Sequence, residues 1–140
     1  PFDKVPVEKL GAMAFVSGSC SRLVIAGRDD TARCHTTIVN YAWKNGRSSF
    51  IFSAKGWGMV SFYGVDTKAV GDQAVLHVDT ILVTREGPAP VPARARATGR
   101  CIYTNPYAGP SHITCSATAG GKSYEGVFVS DGTPPDVVRP

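Results

Sequence analysis

Apolar and polar residues alternate along much of the chain with a period of two, the pattern of a β-strand that buries one face. In the segment 36–43, for instance, Val39, Tyr41 and Trp43 share one face of an extended chain. Glycine and proline turn signals separate most of these segments. The pattern predicts about eight strands. Nine candidate segments underlie this estimate: one through Cys20, one through Cys34, and the segments 36–43, 49–53, 59–63, 74–84, 93–103, 113–119 and 124–130.

Many short strands without a period of 3.6 residues indicate an all-β fold. We predict an antiparallel sandwich or barrel, and the pattern does not separate these two architectures. Residues 8–13 are expected to form a single helical turn, the proline-rich segment 88–92 a stiff connector, and residues 133–140 an irregular tail. The length of 140 residues fits one domain over 1–140.

The four cysteines form two pairs of equal spacing. Cys20 and Cys34 are 14 positions apart, and the same separation joins Cys101 and Cys115. Turn-forming residues lie midway between the members of each pair, and cysteines equidistant from a turn face each other across an antiparallel ladder. We therefore predict the disulfides Cys20–Cys34 and Cys101–Cys115, and with them an oxidising compartment.

The equal spacing also favours an internal repeat with halves at 12–56 and 93–132. Gly18-Ser19-Cys20 aligns with Gly99-Arg100-Cys101, and each half continues through a glycine turn into a short strand that ends in serine. The alternative is that two unrelated disulfide hairpins share a loop length.

The charge is mildly basic, with a formal net charge of +4. No cluster of basic residues interleaved with aromatic residues is present, so we expect no nucleic-acid partner. No apolar run approaches the roughly 20 residues that a membrane-spanning helix needs, so we expect no membrane span. The chain begins at Pro1 without a leader, and we expect a removed signal peptide or an artificially shortened chain.

Cysteine and histidine lie close together at two places, which raises the question of a metal. His35 follows Cys34, and His112 precedes Cys115 by three positions. Structural zinc sites usually gather cysteines in close C-x-x-C pairs, which are missing here, so disulfides are favoured over zinc. Asp29-Asp30 lies in a turn, where aspartate bonds its own backbone. We expect no metal and no cofactor.

His77 and Asp79 are the weak candidates for catalysis, because they are two apart on one strand and a carboxylate can orient an imidazole. An activated nucleophile is not visible: there is no G-x-S-x-G motif, and the predicted disulfides leave no free thiol. The alternating residues around this pair are also typical of a half-solvated sheet face.

Candidate binding residues are aromatic side chains in loops and a basic stripe. Trp57 lies between two glycines, and Tyr107 lies at the tip of the second cysteine hairpin; the alternative is that both fold back over a barrel end. Arg94, Arg96 and Arg100 share one strand face, which suits an anionic partner. The alternative is a solvated face that discourages edge-to-edge aggregation.

Glycine, cysteine and turn motifs run through most of the chain. They are Gly18-x-Cys20, Cys34, Val78-Asp79, Gly99-x-Cys101, Cys115 and Ser130-Asp131-Gly132-x-Pro134-Pro135. With these motifs the chain resembles small exported disulfide-containing bacterial proteins of unassigned function. The resemblance implies disulfides and export to the periplasm or the exterior, and it implies no activity.

The functional hypothesis is a non-enzymatic binding or interaction module of the periplasm or exterior, for an unknown protein or small ligand. One alternative is a small secreted hydrolase that uses His77 and Asp79. Another is a protein inhibitor that presents the hairpin tip 106–110 to a target enzyme. The largest concave site separates them: an apolar cavity favours a small ligand, and a pocket around His77 favours an enzyme.

Overall fold

The structure is a computed structural model that describes residues 10–68, 70–88, 92–105 and 108–139. Within these residues the chain forms β-strands, one 3-10 turn at Thr31–Arg33 and no α-helix. The strands are β1 (Leu10–Ile25), β2 (Arg28–Asp29), β3 (Thr37–Trp43), β4 (Arg47–Ala54), β5 (Gly58–Asp66), β6 (Gln73–Arg85), β7 (Pro92–Thr104), β8 (His112–Ala119), β9 (Lys122–Ser130) and β10 (Asp136–Val138).

Eight antiparallel strands close into a barrel. The order is β1-β3-β4-β5-β6-β7-β8-β9, and β9 pairs back with β1. The short strands β2 and β10 each pair with β1 outside this ring. The all-β prediction is confirmed. Of the two architectures that the sequence pattern did not separate, sandwich and barrel, the structure has the barrel.

The long strand β1 closes the barrel because it changes partners along its length. Residues 10–17 pair with β3, and residues 18–24 pair with β9. Gly18 lies at the change. A Cβ at this position would collide with the carbonyl oxygen of Val129, so glycine is required where the two neighbouring strands approach β1.

Alternate residues of each strand point inward and fill the barrel with apolar side chains, as expected for eight strands. The largest fully buried side chains are Phe52, Phe62, Phe128, Leu23, Ile38, Leu76, Ile81, Ile113 and Val60. Phe52 and Phe62 contact each other edge to face, with ring centroids 5.7 Å apart.

The two ends of the barrel differ. One end, here the Trp57 end, carries the turns at 26–27, 55–57 and 120–121. Trp57 packs into the core there and is 8% exposed. The guanidinium of Arg85 lies 4.4 Å from the centroid of the indole. The opposite end, here the Tyr103 end, carries the turn at 44–46 and the connections after β5, β7 and β9.

Two sequence predictions at the chain ends are wrong. Residues 10–13 of the expected helical turn belong to β1, while residues 8–9 lie outside the described residues. The expected irregular tail contains β10, which pairs with Met13 to Phe15 of β1. That part of β1 has β3 on one side only, because β9 reaches no further than Gly18, and β10 takes the vacant side.

Both predicted disulfides are confirmed, and their surroundings differ. Cys101 and Cys115 are buried and directly opposite each other across β7 and β8. Cys20 and Cys34 are also bonded, but Cys20 lies opposite Phe128 of β9 rather than opposite Cys34. The expected ladder fails because the β1–β2 hairpin extends for only two residue pairs before the 3-10 turn.

Candidate functional site

A cavity of about 590 Å³ opens at the Tyr103 end of the barrel. Its inner wall is mainly apolar and includes Val16, Phe50 and Ile113. Ala14 and Ala74 also line it, and their small side chains leave space at this end, whereas Trp57 fills the other. The volume lies within the range of roughly 300–1,000 Å³ that is typical of small-molecule sites.

Asn40 supplies a polar group to this wall. Its Nδ2 donates to the Ser48 hydroxyl oxygen and to the Ser49 carbonyl oxygen, each at 3.0 Å. Both amide hydrogens are therefore engaged. Within the described residues no hydrogen bond reaches Oδ1, so this oxygen is the group that Asn40 offers as an acceptor.

Tyr103 forms another part of the wall. Its ring lies edge to face against Phe50, with centroids 4.9 Å apart. Its hydroxyl donates to Oδ1 of Asp66 at 2.6 Å. Burial of the phenol, and then the hydrogen bond and charge of Asp66, raise the pKa of Tyr103 well above its usual range. The hydroxyl is therefore protonated, and it donates this proton in the hydrogen bond to the Asp66 carboxylate.

Ser111, directly before β8, is held at the rim by hydrogen bonds to both neighbouring strands. Ser111 is fully buried and donates from Oγ to the carbonyl oxygen of Thr104 at 2.7 Å. The N–H of Ser111 donates to Oγ of Ser130, also at 2.7 Å. Because these bonds join Ser111 to Thr104 of β7 and Ser130 of β9, this part of the lining is organised before any ligand arrives.

A second concave site lies on the outer face of the barrel. This arginine groove, of about 580 Å³, is lined by Arg47, Asp79, Thr80, Arg94, Ala95, Arg96, Ala97 and Thr98. It coincides with a register shift, where Asp79 alone on β6 stands opposite Ala97 and Thr98 on β7.

Arg47 is held in place within the groove. One of its terminal nitrogens donates to both carboxylate oxygens of Asp79, at 2.8 and 2.9 Å. Its guanidinium lies 4.4 Å from the centroid of Tyr63. Burial acts against ionisation of Asp79, but hydrogen bonds from Arg47 and Thr80 outweigh it and lower the pKa of Asp79.

The basic stripe is divided by the register shift. Arg94 and Arg96 line the arginine groove, whereas Arg100 does not. Arg100 is exposed and lies opposite His77 on β6 and Ser116 on β8. The sequence analysis grouped the three arginines on one strand face. It could not detect the extra residue on β7, because the alternation of alanine and arginine is the same with and without it.

Of the two aromatic candidates, Trp57 belongs to the described residues, and it lines neither the cavity nor the groove. Trp57 is buried at the Trp57 end, so the alternative in which the indole folds back over the barrel end is the one observed. The prediction that Trp57 is an exposed contact for a partner is therefore wrong. Tyr107 and Pro106 of the hairpin tip lie outside the described residues.

The candidate catalytic pair is not assembled. His77 and Asp79 are both exposed, and the Asp79 carboxylate is engaged by Arg47 and Thr80. No hydrogen bond joins His77 to Asp79 within the described part of the chain. His77 lines neither the cavity nor the groove. The expectation that this carboxylate orients the imidazole is therefore wrong.

The cysteines and the turn aspartates considered for metal binding have other partners. All four cysteines are in disulfides. Asp29 accepts hydrogen bonds from the backbone N–H and the hydroxyl of Thr31, as a turn aspartate does. In residues 10–68, 70–88, 92–105 and 108–139 no group of three or more His, Cys, Asp or Glu side chains is placed to hold a metal ion.

Comparison of the chain with protein-family models, curated proteins and solved structures finds no match. The described residues contain no helix with the length and apolar character needed to cross a membrane. The geometry and chemistry of the cavity and the groove are therefore the basis for a functional proposal.

Proposed function

We propose that this protein is a non-enzymatic binding domain that takes one small, mainly apolar ligand into the cavity at the Tyr103 end. The observation that carries the proposal is the cavity itself: an eight-stranded barrel filled at one end and open at the other, with an apolar wall. Barrel mouths of this size commonly hold one small molecule.

The polar groups of the cavity narrow the class of ligand. Oδ1 of Asn40 is an acceptor, and the oxygen of Tyr103 has its proton committed to Asp66. Asp72 adds a carboxylate at the rim, and none of the described lining residues is positively charged. A ligand with a hydroxyl or amine donor is therefore favoured over an anionic ligand, which would find no cation.

The proposed setting is the periplasm or the exterior of a bacterium. Two disulfides support an oxidising compartment. Export and bacterial origin remain parts of the proposal, resting on the resemblance of the glycine and cysteine motifs.

The test is titration with N-phenyl-1-naphthylamine, a neutral apolar fluorophore that carries one N–H donor. Saturable one-to-one binding is expected. Ala74→Phe fills the cavity and should weaken binding at least about tenfold, because the ring takes the space of the probe. Ala93→Phe is the matched control, since Ala93 is exposed on β7 away from the cavity.

The N-methyl derivative of the probe tests the donor preference. It should bind about fivefold more weakly, because the acceptor on Asn40 loses its partner. Equal binding of the probe to the Ala74→Phe and Ala93→Phe proteins, with circular dichroism showing both folded, would overturn the proposal. Equal binding of the two probes would remove the donor preference alone.

A further inference from the structure

The arginine groove carries an excess of positive charge in a confined place. Arg47, Arg94 and Arg96 contribute three guanidinium groups, and among the described lining residues Asp79 is the single carboxylate. Two positive charges are therefore left without an opposing charge in the groove. A concave surface of one sign concentrates its field on a bound ion.

Arg47 and Asp79 form the fixed part of this site. The two-oxygen contact with Asp79 and the ring of Tyr63 hold the Arg47 side chain, which is 28% exposed. Thr80 donates its hydroxyl to the same carboxylate at 2.9 Å. Arg47 and Thr80 therefore hydrogen-bond the Asp79 carboxylate, and Arg94 adds a weaker electrostatic attraction to it.

Arg94 and Arg96 form the open part. Both are exposed, and neither has an ion-pair partner within the described residues. They are two apart on one strand, so their backbones lie roughly 6.6–6.8 Å apart on the same face. The described β7–β8 pairing begins at Ala97, so β8 does not lie alongside the part of β7 that carries Arg94 and Arg96. Both guanidinium groups can converge on one ligand.

We propose that the arginine groove is a binding site for a small dianion, a ligand that carries a phosphate or sulfate group or several carboxylates. Guanidinium groups bind such oxyanions through paired, charge-assisted hydrogen bonds. The ligand lies on the Arg94 and Arg96 side, away from the Asp79 carboxylate. Thr98, which stands opposite Asp79 at the register shift, also lines the groove and adds a hydroxyl donor.

This site is separate from the cavity at the Tyr103 end. Among the described residues the two sites share no lining residue, and the groove has three cationic lining residues whereas the cavity has none. The proposal therefore does not rest on the function proposed above, and either can fail without the other.

The experiment is a titration of the full chain at low ionic strength with inorganic phosphate, inorganic sulfate and citrate, each used alone. Binding is followed by the amide NMR shifts of Thr80 and Thr98. Saturable shifts centred on these residues are expected. Binding of phosphate or sulfate identifies a free oxyanion as sufficient, and binding of citrate alone identifies an organic polycarboxylate. No saturable shift with any of the three overturns the proposal.

Two double variants separate a built site from general attraction. Arg94→Gln with Arg96→Gln should weaken binding at least about tenfold, because the converging donors are lost. Arg100→Gln with Lys122→Gln removes the same charge from exposed positions outside the groove and should change affinity less than about threefold. Equal losses in the two proteins overturn the proposal.

The Asp79→Asn variant tests the electrostatic part of the proposal. If Asp79 had only a structural role, its substitution would not tighten anion binding. Removing this carboxylate relieves its repulsion of the anion and should tighten binding about threefold. Unchanged or weaker binding, with the folded spectrum retained, overturns the placement of the anion in this groove.

Discussion

The ring of Phe52 lies directly against Gly126 across the interior of the barrel. A Cβ at Gly126 would come within 2.6 Å of Cζ of that ring, closer than real Cβ contacts. Glycine at this position of β9 is therefore a consequence of the large side chain on β4. The contact makes Gly126 part of the packed core although it has no side chain of its own.

Gly126→Ala should lower the free energy of unfolding by about 1–3 kcal/mol, because the added methyl group overpacks the core. Chemical denaturation measures the change. In a Phe52→Leu background the same substitution should cost clearly less, since the smaller side chain gives way. Equal costs in both backgrounds would show that the penalty has a source other than the Phe52 ring.

The two disulfides should differ in their accessibility to reductant. Cys101 and Cys115 are 0% and 1% exposed, whereas Cys20 and Cys34 are partly exposed. Under native conditions a thiol reductant should therefore open Cys20–Cys34 first, because attack on a disulfide requires access to a sulfur. Mass spectrometry of alkylated peptides measures the order. In denaturant, the control condition, the two bonds should react at similar rates. Early labelling of Cys101 in the folded protein would contradict the expected order of reduction.

Tyr103 should remain protonated far into the alkaline range. Burial and then Asp66 raise its pKa, so the folded state holds the phenolic proton more tightly than the unfolded state, whose pKa is near 10.0. The stability that this contributes is complete below pH 10 and is lost as the pH rises through the folded-state pKa. Ultraviolet titration at the tyrosinate band should show one late tyrosine.

Tyr103→Phe should remove that late transition and lower the free energy of unfolding at pH 7 by about 1 kcal/mol, the usual net contribution of one hydrogen bond. Tyr124→Phe is the control, because Tyr124 is half-buried and no hydrogen bond of its hydroxyl is found within the described residues. A late transition that survives in Tyr103→Phe would assign it to another tyrosine.

Trp57→Ala should destabilise the barrel by about 3–5 kcal/mol, because it empties part of the core at the Trp57 end. Trp43→Ala is the matched control. Trp43 lies on the outer face beside Tyr41 and Tyr63 and is only partly buried, so its loss should cost much less. Thermal denaturation of both variants measures the difference. A larger loss for Trp43→Ala would mean that the outer aromatic cluster, not Trp57, stabilises the barrel.

Local features of the sequence were sufficient to place most of the strands. The alternation over 74–84 and 113–119 matches β6 and β8 within one residue at each end, because burial on one face imposes a period of two. The Cys101–Cys115 pairing was equally local, since one hairpin aligns both residues. The internal repeat of 12–56 and 93–132 stays a prediction, although the two cysteine pairs have different local structures.

The concave sites depend on how the strands pair with one another, which the alternation within a single strand does not specify. Asn40, Phe50 and Ala14 meet because β1, β3 and β4 pair in one register, which no single segment specifies. Arg47 reaches Asp79 across β5, where a register shift between β5 and β6 leaves Asp79 without a paired residue on β5. Sequence reasoning therefore found Arg94, Arg96 and Asp79 but missed Arg47 and the cavity residues. Trp57 was misplaced because flanking glycines indicate a turn and not its burial.

The exchange of partners at Gly18 also determines when the barrel can form. Gly18 pairs with Ser130, more than a hundred positions later in the chain, so the seam is the least local pairing among the eight strands of the ring. Contacts of such wide separation cost loop-closure entropy before they return stability, which slows folding. The hairpins from β3 to β8 can form during synthesis, but the ring stays open until β9 is present. A chain released before β9 would expose both unpaired edges, on β1 and β8, to other proteins.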